Sequence, residues 1–265
     1  MEKISVIIAH KEQRGEEMLS SLLESIEEEF KRVPVIAEVL VESRGSKSES
    51  RNLAAAEAEG DILVFLDDDV QLRRGFLQEI LAPFIYPGVG IVGGVNVAFP
   101  EVSYQEQISA SMMSSVLLWG RSASRYTPRG RVRESDEGEI IGCCMAVKAE
   151  AFREAGGFPL DIIPCEENVL INRIQELGWI IVYSPYAIVY HKRAEFPWDY
   201  GRKLFDYGKG RGMMMRKRFS GSPKMLWKPS RKWILFLLGA VIHFSMYGAG
   251  VLYGYFKRKK KVFQK

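Results

Sequence analysis

The chain has 265 residues, 47% hydrophobic and 26% charged, with a net charge of +4. That balance excludes a disordered polyelectrolyte, a collagen-like fibre and a small disulfide scaffold, and the length allows one large domain or one domain with an appendage. The charge is uneven: residues 201–232 carry eleven Lys or Arg against one acid, Asp206, and residues 257–261 read Lys-Arg-Lys-Lys-Lys, as expected of a basic surface that meets something anionic.

Met1-Glu2-Lys3 leads straight into a β-branched run, Ile4 to Ile8, so no signal peptide is expected. Met18, Leu19, Leu22, Leu23 and Ile26 fall at three-and-four spacing and predict a helix over about 15–30. Residues 35–42 read as a second strand, broken at Arg44-Gly45-Ser46, after which a Ser can cap a helix over about 48–59. Gly60 ends that helix, and 61–66 is a third strand, apolar throughout. A helix over about 74–83 stops near Pro83, a strand over 89–97 follows, and 103–119 reads as another helix. Residues 120–138 are polar and lack apolar periodicity, which predicts a long functional loop. A strand over 139–147, a helix over about 148–155, an amphipathic helix over 166–177 and two short strands around Ser184-Pro185 complete the order.

Strands and helices alternating in short units predict an α/β protein with a mostly parallel sheet buried on both faces. Ligands of such sheets bind beyond the carboxyl ends of the strands. The third strand ends there in Asp67-Asp68-Asp69. Three adjacent carboxylates are costly to ionise together without a cation. Asp67 and Asp69 point the same way on an extended chain, so a D-x-D arrangement can offer two carboxylates to one Mg²⁺ or Mn²⁺ carrying a diphosphate. The plainer alternative is a solvated acidic turn in which one Asp caps the helix near residue 74. Cys143, Cys144 and Cys165 have neither disulfide nor zinc spacing and read as free thiols.

Six stretches in one order carry a resemblance: SVIIAHKE at 5–12, EVLVE at 38–42 with its Gly-Ser turn, SRNLAAAEAEGDILVFLDDD at 50–69, IIGCCMAVKAEAFREAGGFP at 140–159, CEENVLINRIQELGW at 165–179 and IVYSPYAIVYH at 181–191. Together they resemble glycosyltransferase family 2, over about residues 3–212. The resemblance implies a GT-A fold, Rossmann-like with flanking helices, and inverting transfer from a nucleotide-sugar such as a UDP- or GDP-sugar with Mg²⁺ or Mn²⁺. It places Ala9, His10, Glu12, Glu42, Arg51, Asp67 and Asp68 against the donor, and Asp69, Asp67 and His191 against the metal. Glu167 falls where the family has its general base, with Glu166 as the first acid of the pair; the plainer reading of both is an acidic first turn that complements the helix dipole. Gly142, Cys143 and Trp198 fall on the acceptor side. A nucleophilic Cys is not required, because inversion proceeds by single displacement.

Trp233 to Phe256 is long and apolar enough for a membrane span, with aromatic residues at both ends and basic clusters on either side. It is expected to sit in or across a membrane, or else to pack as a hydrophobic C-terminal helix. Arg202, Lys203, Lys209 and Arg211 in the basic run before it either reach the diphosphate or lie on a membrane surface, the latter ranked first because apolar anchors mix with cations; no nucleic-acid-binding module is visible. The expected division is a catalytic domain over 1–212, on the cytoplasmic side, and a membrane-associated segment over 213–265. The acceptor is expected to be lipid-linked or a growing glycan. A nucleotidyltransferase and a membrane-tethered binding module without activity are the alternatives.

Overall fold

The computed structural model describes residues 3–11, 16–162, 164–214, 241–251 and 253. They form two compact units. The first, residues 1–100, 124–160 and 167–192, is built on one sheet; the second comprises residues 101–123, 161–166 and 193–265.

The strands of the first unit are β1 (Lys3–Ala9), β2 (Ile36–Glu42), β3 (Ile62–Asp67), β4 (Val70–Leu72), β5 (Val89–Ala98), β6 (Arg133–Glu134), β7 (Cys144–Lys148) and β8 (Ile180–His191). They lie in the order β2-β1-β3-β7-β5-β8-β4, with β6 also on β8. The expected mostly parallel sheet is corrected here to a mixed one. β1 is parallel to β2 and β3, and β5 to β8, but β7 runs antiparallel to both β3 and β5, and β4 and β6 antiparallel to β8. The apolar runs that suggested parallel strands report burial on both faces, not direction. Every residue of β3 is buried. Leu63 and Phe65 join a core with Ala54, Ala55, Phe152, Leu170 and Ile171, whereas Ile62, Val64 and Leu66 point to the opposite face, as a strand's period of two requires.

Local chemistry explains the departures in element boundaries. The strand expected over 139–147 begins at Cys144. Before it, the Asp136 side chain accepts from Gly138 N–H at 2.8 Å, a turn that Asp favours. The two strands expected around Ser184-Pro185 are one strand, β8, whose register against β5 shifts between Gly93 and Val95. Proline has no N–H to give a ladder, and a bulge is where a sheet accepts it. β4 was not expected, being only three residues long.

Two helices of this unit matter most to the site. α2 (Lys47–Glu57) starts with a capping box in which Ser46 and Glu49 exchange hydrogen bonds. Its Asn52 accepts from Phe158 N–H and donates to the Phe158 carbonyl, both at 2.9 Å, which ties α2 to the Gly-Gly-Phe-Pro turn. α7 (Glu166–Glu176) precedes β8. A third point concerns α1 (Glu16–Phe30) and α3 (Phe76–Leu81). Glu29 of α1 is buried and accepts from Gly75 and Leu77 N–H, both at 2.9 Å. The start of α3 is thus satisfied by Glu29, which overturns an Asp of the triplet as its cap.

The second unit contains α4 (Tyr104–Met113), α5 (Val116–Trp119), α8 (Trp198–Met214) and helical residues 241–251. The single helix expected over 103–119 breaks where Ser115 takes an extended conformation, ψ 116°. α8 and the 241–251 helix approach backbone to backbone: a Cβ on Gly208 would fall 2.0 Å from the Tyr247 carbonyl oxygen, and one on Gly250 2.0 Å from that of Phe205. Such contact requires glycine. Among the described residues, no helix is long and apolar enough to cross a membrane. Half of Trp233–Phe256, and the basic run from 215 onward, lie outside them.

Candidate functional site

Strand register assembles the site. Ala9 pairs with Glu42 on one side and with Asp67 on the other, so the ends of β2, β1 and β3 are flush at one edge. β7 starts at that edge because it runs the other way: Cys144 faces Leu66, and one residue earlier Cys143 comes alongside Asp67. β4 pairs Val70 with His191, which carries Asp69 to the end of β8. The ends of β1, β2, β3 and β8 and the starts of β4 and β7 therefore meet at the edge that carries the acidic triplet, and β7 can contribute only by being antiparallel.

Asp67 is buried beside two cations. Its Oδ1 accepts from the Arg51 guanidinium at 2.8 Å and its Oδ2 from the Lys47 ammonium at 2.5 Å. Burial alone would push its pKa up, but Lys47, Arg51 and His191 outweigh that and hold the carboxyl far below the usual range. Arg51 was expected against the donor's base or phosphate. It is 1% exposed, donates also to the Gly142 carbonyl at 3.1 Å, and stacks over Phe158 at 5.0 Å. Its reach is taken up by Asp67 and by the turn before β7. Lys47, which sequence reasoning missed, is the more accessible cation, with 27% of its side chain exposed. The signal available was its place directly after the Arg44-Gly45-Ser46 break, as the first residue of the helix that Ser46 caps.

Asp68 turns toward the β1 end. Its Oδ2 accepts from Lys11 N–H at 2.8 Å and lies 3.1 Å from His10 Nδ1. A small cleft beside it is lined by Ala9, His10, Lys11, Gly45, Lys47, Ser50 and Asp68. Glu42 lies at the end of β2 and accepts from Ser43 and Arg44 N–H at 2.9 and 2.8 Å and from the Arg44 guanidinium. Those bonds lower its pKa to about 2. Glu12 lies outside the described residues.

His191 Nδ1 lies 2.7 Å from the Lys192 carbonyl, which can only accept, so Nδ1 carries a proton. Nε2 faces the acids, 3.4 Å from Asp69 Oδ1 and 4.0 Å from Asp67 Oδ2. A neutral ring in this tautomer would aim a lone pair at two carboxylates; a shared cation, or a second proton, resolves that conflict. Cys143 Sγ completes a group with Asp67 and His191 in which the donor atoms lie within 4.8 Å of one another. Carboxylate, imidazole and thiol are all metal donors, so the residues present fit a divalent ion. Burial, then the nearby Asp67, pushes the Cys143 thiol up to about 12, while the Asn96 amide donates to its sulfur at 3.1 Å. Asn96, a buried polar residue on β5, was also missed; its signal was an Asn inside an otherwise apolar strand.

Glu167 stands across Gly142 from Arg51. A Cβ on Gly142 would fall 3.1 Å from Glu167 Cβ and 3.4 Å from Arg51 Nη1. Glycine at 142 therefore lets the first turn of α7 approach the Asp67–Arg51 pair. Cys165, just before the two glutamates, has φ 82°, a left-handed conformation that non-glycine residues hold only when their surroundings impose it. Glu166 and Trp198 belong to the second unit, Glu166 buried and Trp198 83% exposed.

Comparison with known proteins bears on this arrangement. The profile described as glycosyltransferase like family 2 matches residues 3–206. A pre-mycofactocin glycosyltransferase of Mycobacterium tuberculosis is 28% identical over 192 residues, 72% of this chain and 40% of that protein. An N-acetylglucosaminyl-diphospho-decaprenol L-rhamnosyltransferase from the same organism is 26% identical over 188 residues, 66% of this chain and 60% of that one. The chain thus spans between two and three fifths of these relatives' length. Among solved structures, the mannosyltransferase PcManGT of Pyrobaculum calidifontis, in complex with GDP-Man and Mn²⁺, superposes with a TM-score of 0.56 at 15% identity, over 98% of this chain and 74% of that one. That similarity supports the GT-A fold. With a family profile matched across most of its length and that family's fold beneath the site, the chain belongs to the glycosyltransferase family 2-like proteins.

Proposed function

We propose that the chain is a metal-dependent inverting glycosyltransferase that moves a sugar from a nucleotide-sugar to a hydroxyl or phosphate of a lipid-linked acceptor at a membrane. The observation that carries this reading is the convergence of Asp67, Asp69 and His191 at the carboxyl edge of the sheet, with Lys47 in reach of the same point. Those three side chains are the ones to hold Mg²⁺ or Mn²⁺. A bound divalent ion would neutralise the diphosphate of the donor and stabilise it as it leaves.

The chain's own residues divide the remaining work. The cleft between Ala9, His10 and Gly45 takes the nucleoside, with Glu42 at its edge, and Asp68 fixes the β1 end that forms its wall. Arg51 keeps Asp67 ionised and pointed at the site. Lys47, on a flexible stem, exchanges Asp67 for a donor phosphate oxygen. Glu167 takes the proton from the acceptor as it attacks the anomeric carbon, and Gly142, against which Glu167 packs, lies on the acceptor side. The rhamnosyltransferase relative carries a lipid diphosphate acceptor in its name, and the PcManGT structure is a complex with GDP-Man and Mn²⁺. With the basic run 201–232 and the apolar run 233–256, these favour a polyprenyl-type acceptor and a catalytic domain over 1–212 on the cytoplasmic side, held to the bilayer by residues 213–265.

The test is a screen of UDP- and GDP-sugars with Mn²⁺, reading release of the nucleoside diphosphate with and without a polyprenyl phosphate. At least one donor should turn over in the wild type and none in Asp69→Ala. Undiminished turnover in Asp69→Ala would refute the reading.

A further inference from the structure

Cys143 was expected to lie on the acceptor side, yet its sulfur is turned into the carboxylate cluster. We propose that Cys143 is a direct donor to the divalent ion, so that the site is a mixed oxygen, nitrogen and sulfur centre that takes first-row ions such as Mn²⁺, Co²⁺ and Zn²⁺ in preference to Mg²⁺. This rests on the reading of Asp67 and His191 as metal-holding residues.

Three observations carry it. First, Asp67, Cys143 and His191 bring a carboxylate oxygen, a sulfur and a ring nitrogen within 4.8 Å of one another, all three residues buried. Ligands sharing one tetrahedral ion sit about 3.5 Å apart, given bond lengths of roughly 2.0–2.3 Å, and small side-chain rotations close that gap. Second, each donor has an outer partner of the kind that orients ligands. Arg51 holds Asp67, the Lys192 carbonyl fixes the His191 tautomer, and the buried Asn96 amide donates to the sulfur at 3.1 Å. An amide N–H aimed at sulfur favours the charged thiolate that a bound ion would create. Third, the sheet leaves Cys143 little choice of direction, since the β3–β7 register sets it beside Asp67. A thiolate donor shifts a site toward borderline and soft ions, whereas Mg²⁺ prefers oxygen alone.

Lys47 is the competitor, since its ammonium holds Asp67 Oδ2. An entering ion displaces it, and Lys47→Ala removes the competition.

The experiment is Co²⁺ titration of the full-length protein, read by absorption. A bound Co²⁺ shows visible ligand-field bands whatever its ligands, and a sulfur ligand adds a near-ultraviolet charge-transfer band. The wild type should show both. Cys143→Ser should lose the near-ultraviolet band, keep visible bands and weaken Co²⁺ and Zn²⁺ binding about tenfold or more, as even losing an outer partner costs about 10- to 100-fold. Cys165→Ser should keep both bands, and Lys47→Ala should tighten Co²⁺ binding. Visible bands without charge transfer in the wild type would overturn the sulfur assignment and leave the metal reading standing. Absence of both, in protein shown folded by circular dichroism, would overturn the two together.

Discussion

Arg51 and Asp67 form a buried ion pair at 2.8 Å, and the rest of the site is arranged around it. Arg51 also reaches the Gly142 carbonyl and covers Phe158, so one guanidinium links α2, β3, the start of β7 and the Gly-Gly-Phe-Pro turn. Lys47 meets the other oxygen of the same carboxylate from a partly exposed position. The two cations should therefore fail differently. Removing one partner of a buried pair costs about 3–5 kcal/mol, whereas a partly exposed pair contributes roughly 1 kcal/mol or less. Denaturant melts of Arg51→Ala and Lys47→Ala should show a loss of about 3–5 kcal/mol for the first and about 1 kcal/mol for the second. Donor affinity should fall in Lys47→Ala despite its near-native stability.

The pH dependence follows from Asp67. Its folded pKa is depressed by Lys47, Arg51 and His191, against the upward push of burial. A depressed carboxylate contributes stability that is present above its unfolded pKa of about 3.9 and is lost as pH falls below it, because only the unfolded chain then takes up the proton. Asp67→Asn should be less stable than wild type at pH 7, and the difference should narrow between pH 4 and pH 3. Denaturant unfolding at these pH values reads it directly; a constant difference would show that Asp67 is not held ionised.

Gly142 predicts a steric effect on Glu167, the proposed base. In Gly142→Ala the new methyl would press on Glu167 Cβ at 3.1 Å and Arg51 Nη1 at 3.4 Å. Relief requires a shift of a few tenths of an ångström at the first turn of α7. Transfer should fall roughly tenfold or more, since small misplacements of a reacting group are expensive, with a stability loss of about 1–3 kcal/mol. Initial-rate kinetics beside a thermal melt separate the two effects.

The cysteines differ in reactivity. Burial raises the Cys143 thiol to about 12 and the Cys144 thiol well above its ordinary value, while Cys165 is partly exposed. The thiolate is the reactive form. In native, metal-free protein at pH 7.5, iodoacetamide should label Cys165 first and the adjacent pair only on unfolding, as mass spectrometry of the peptides would show.

Much of the site was legible because it lies on strand ends. An apolar strand running into Asp67-Asp68-Asp69 announces both burial and a ligand edge, and His191 closes an equally apolar strand. What could not be read was pairing. Nothing local in residues 144–148 reveals that β7 runs backward between β3 and β5, yet that direction is what brings Cys143 to Asp67. Arg51 was expected against the donor because helical spacing does not say which face a neighbouring loop will cover. The role of Glu29 at the start of α3 depends on a packing partner 46 residues away. Lys47 and Asn96 were missed for the same reason: each acts through one tertiary contact.

The central claim is that the Asp67, Asp69 and His191 cluster holds a divalent ion that receives a nucleotide diphosphate. Isothermal titration of UDP and GDP, each with and without Mn²⁺, into wild type and Asp69→Ala tests it most directly. One nucleotide should bind the wild type with Mn²⁺ at least about tenfold more tightly than without, and Asp69→Ala should lose that enhancement while keeping the weak metal-free binding. Binding of equal strength with and without Mn²⁺, or an enhancement that survives in Asp69→Ala, would contradict it.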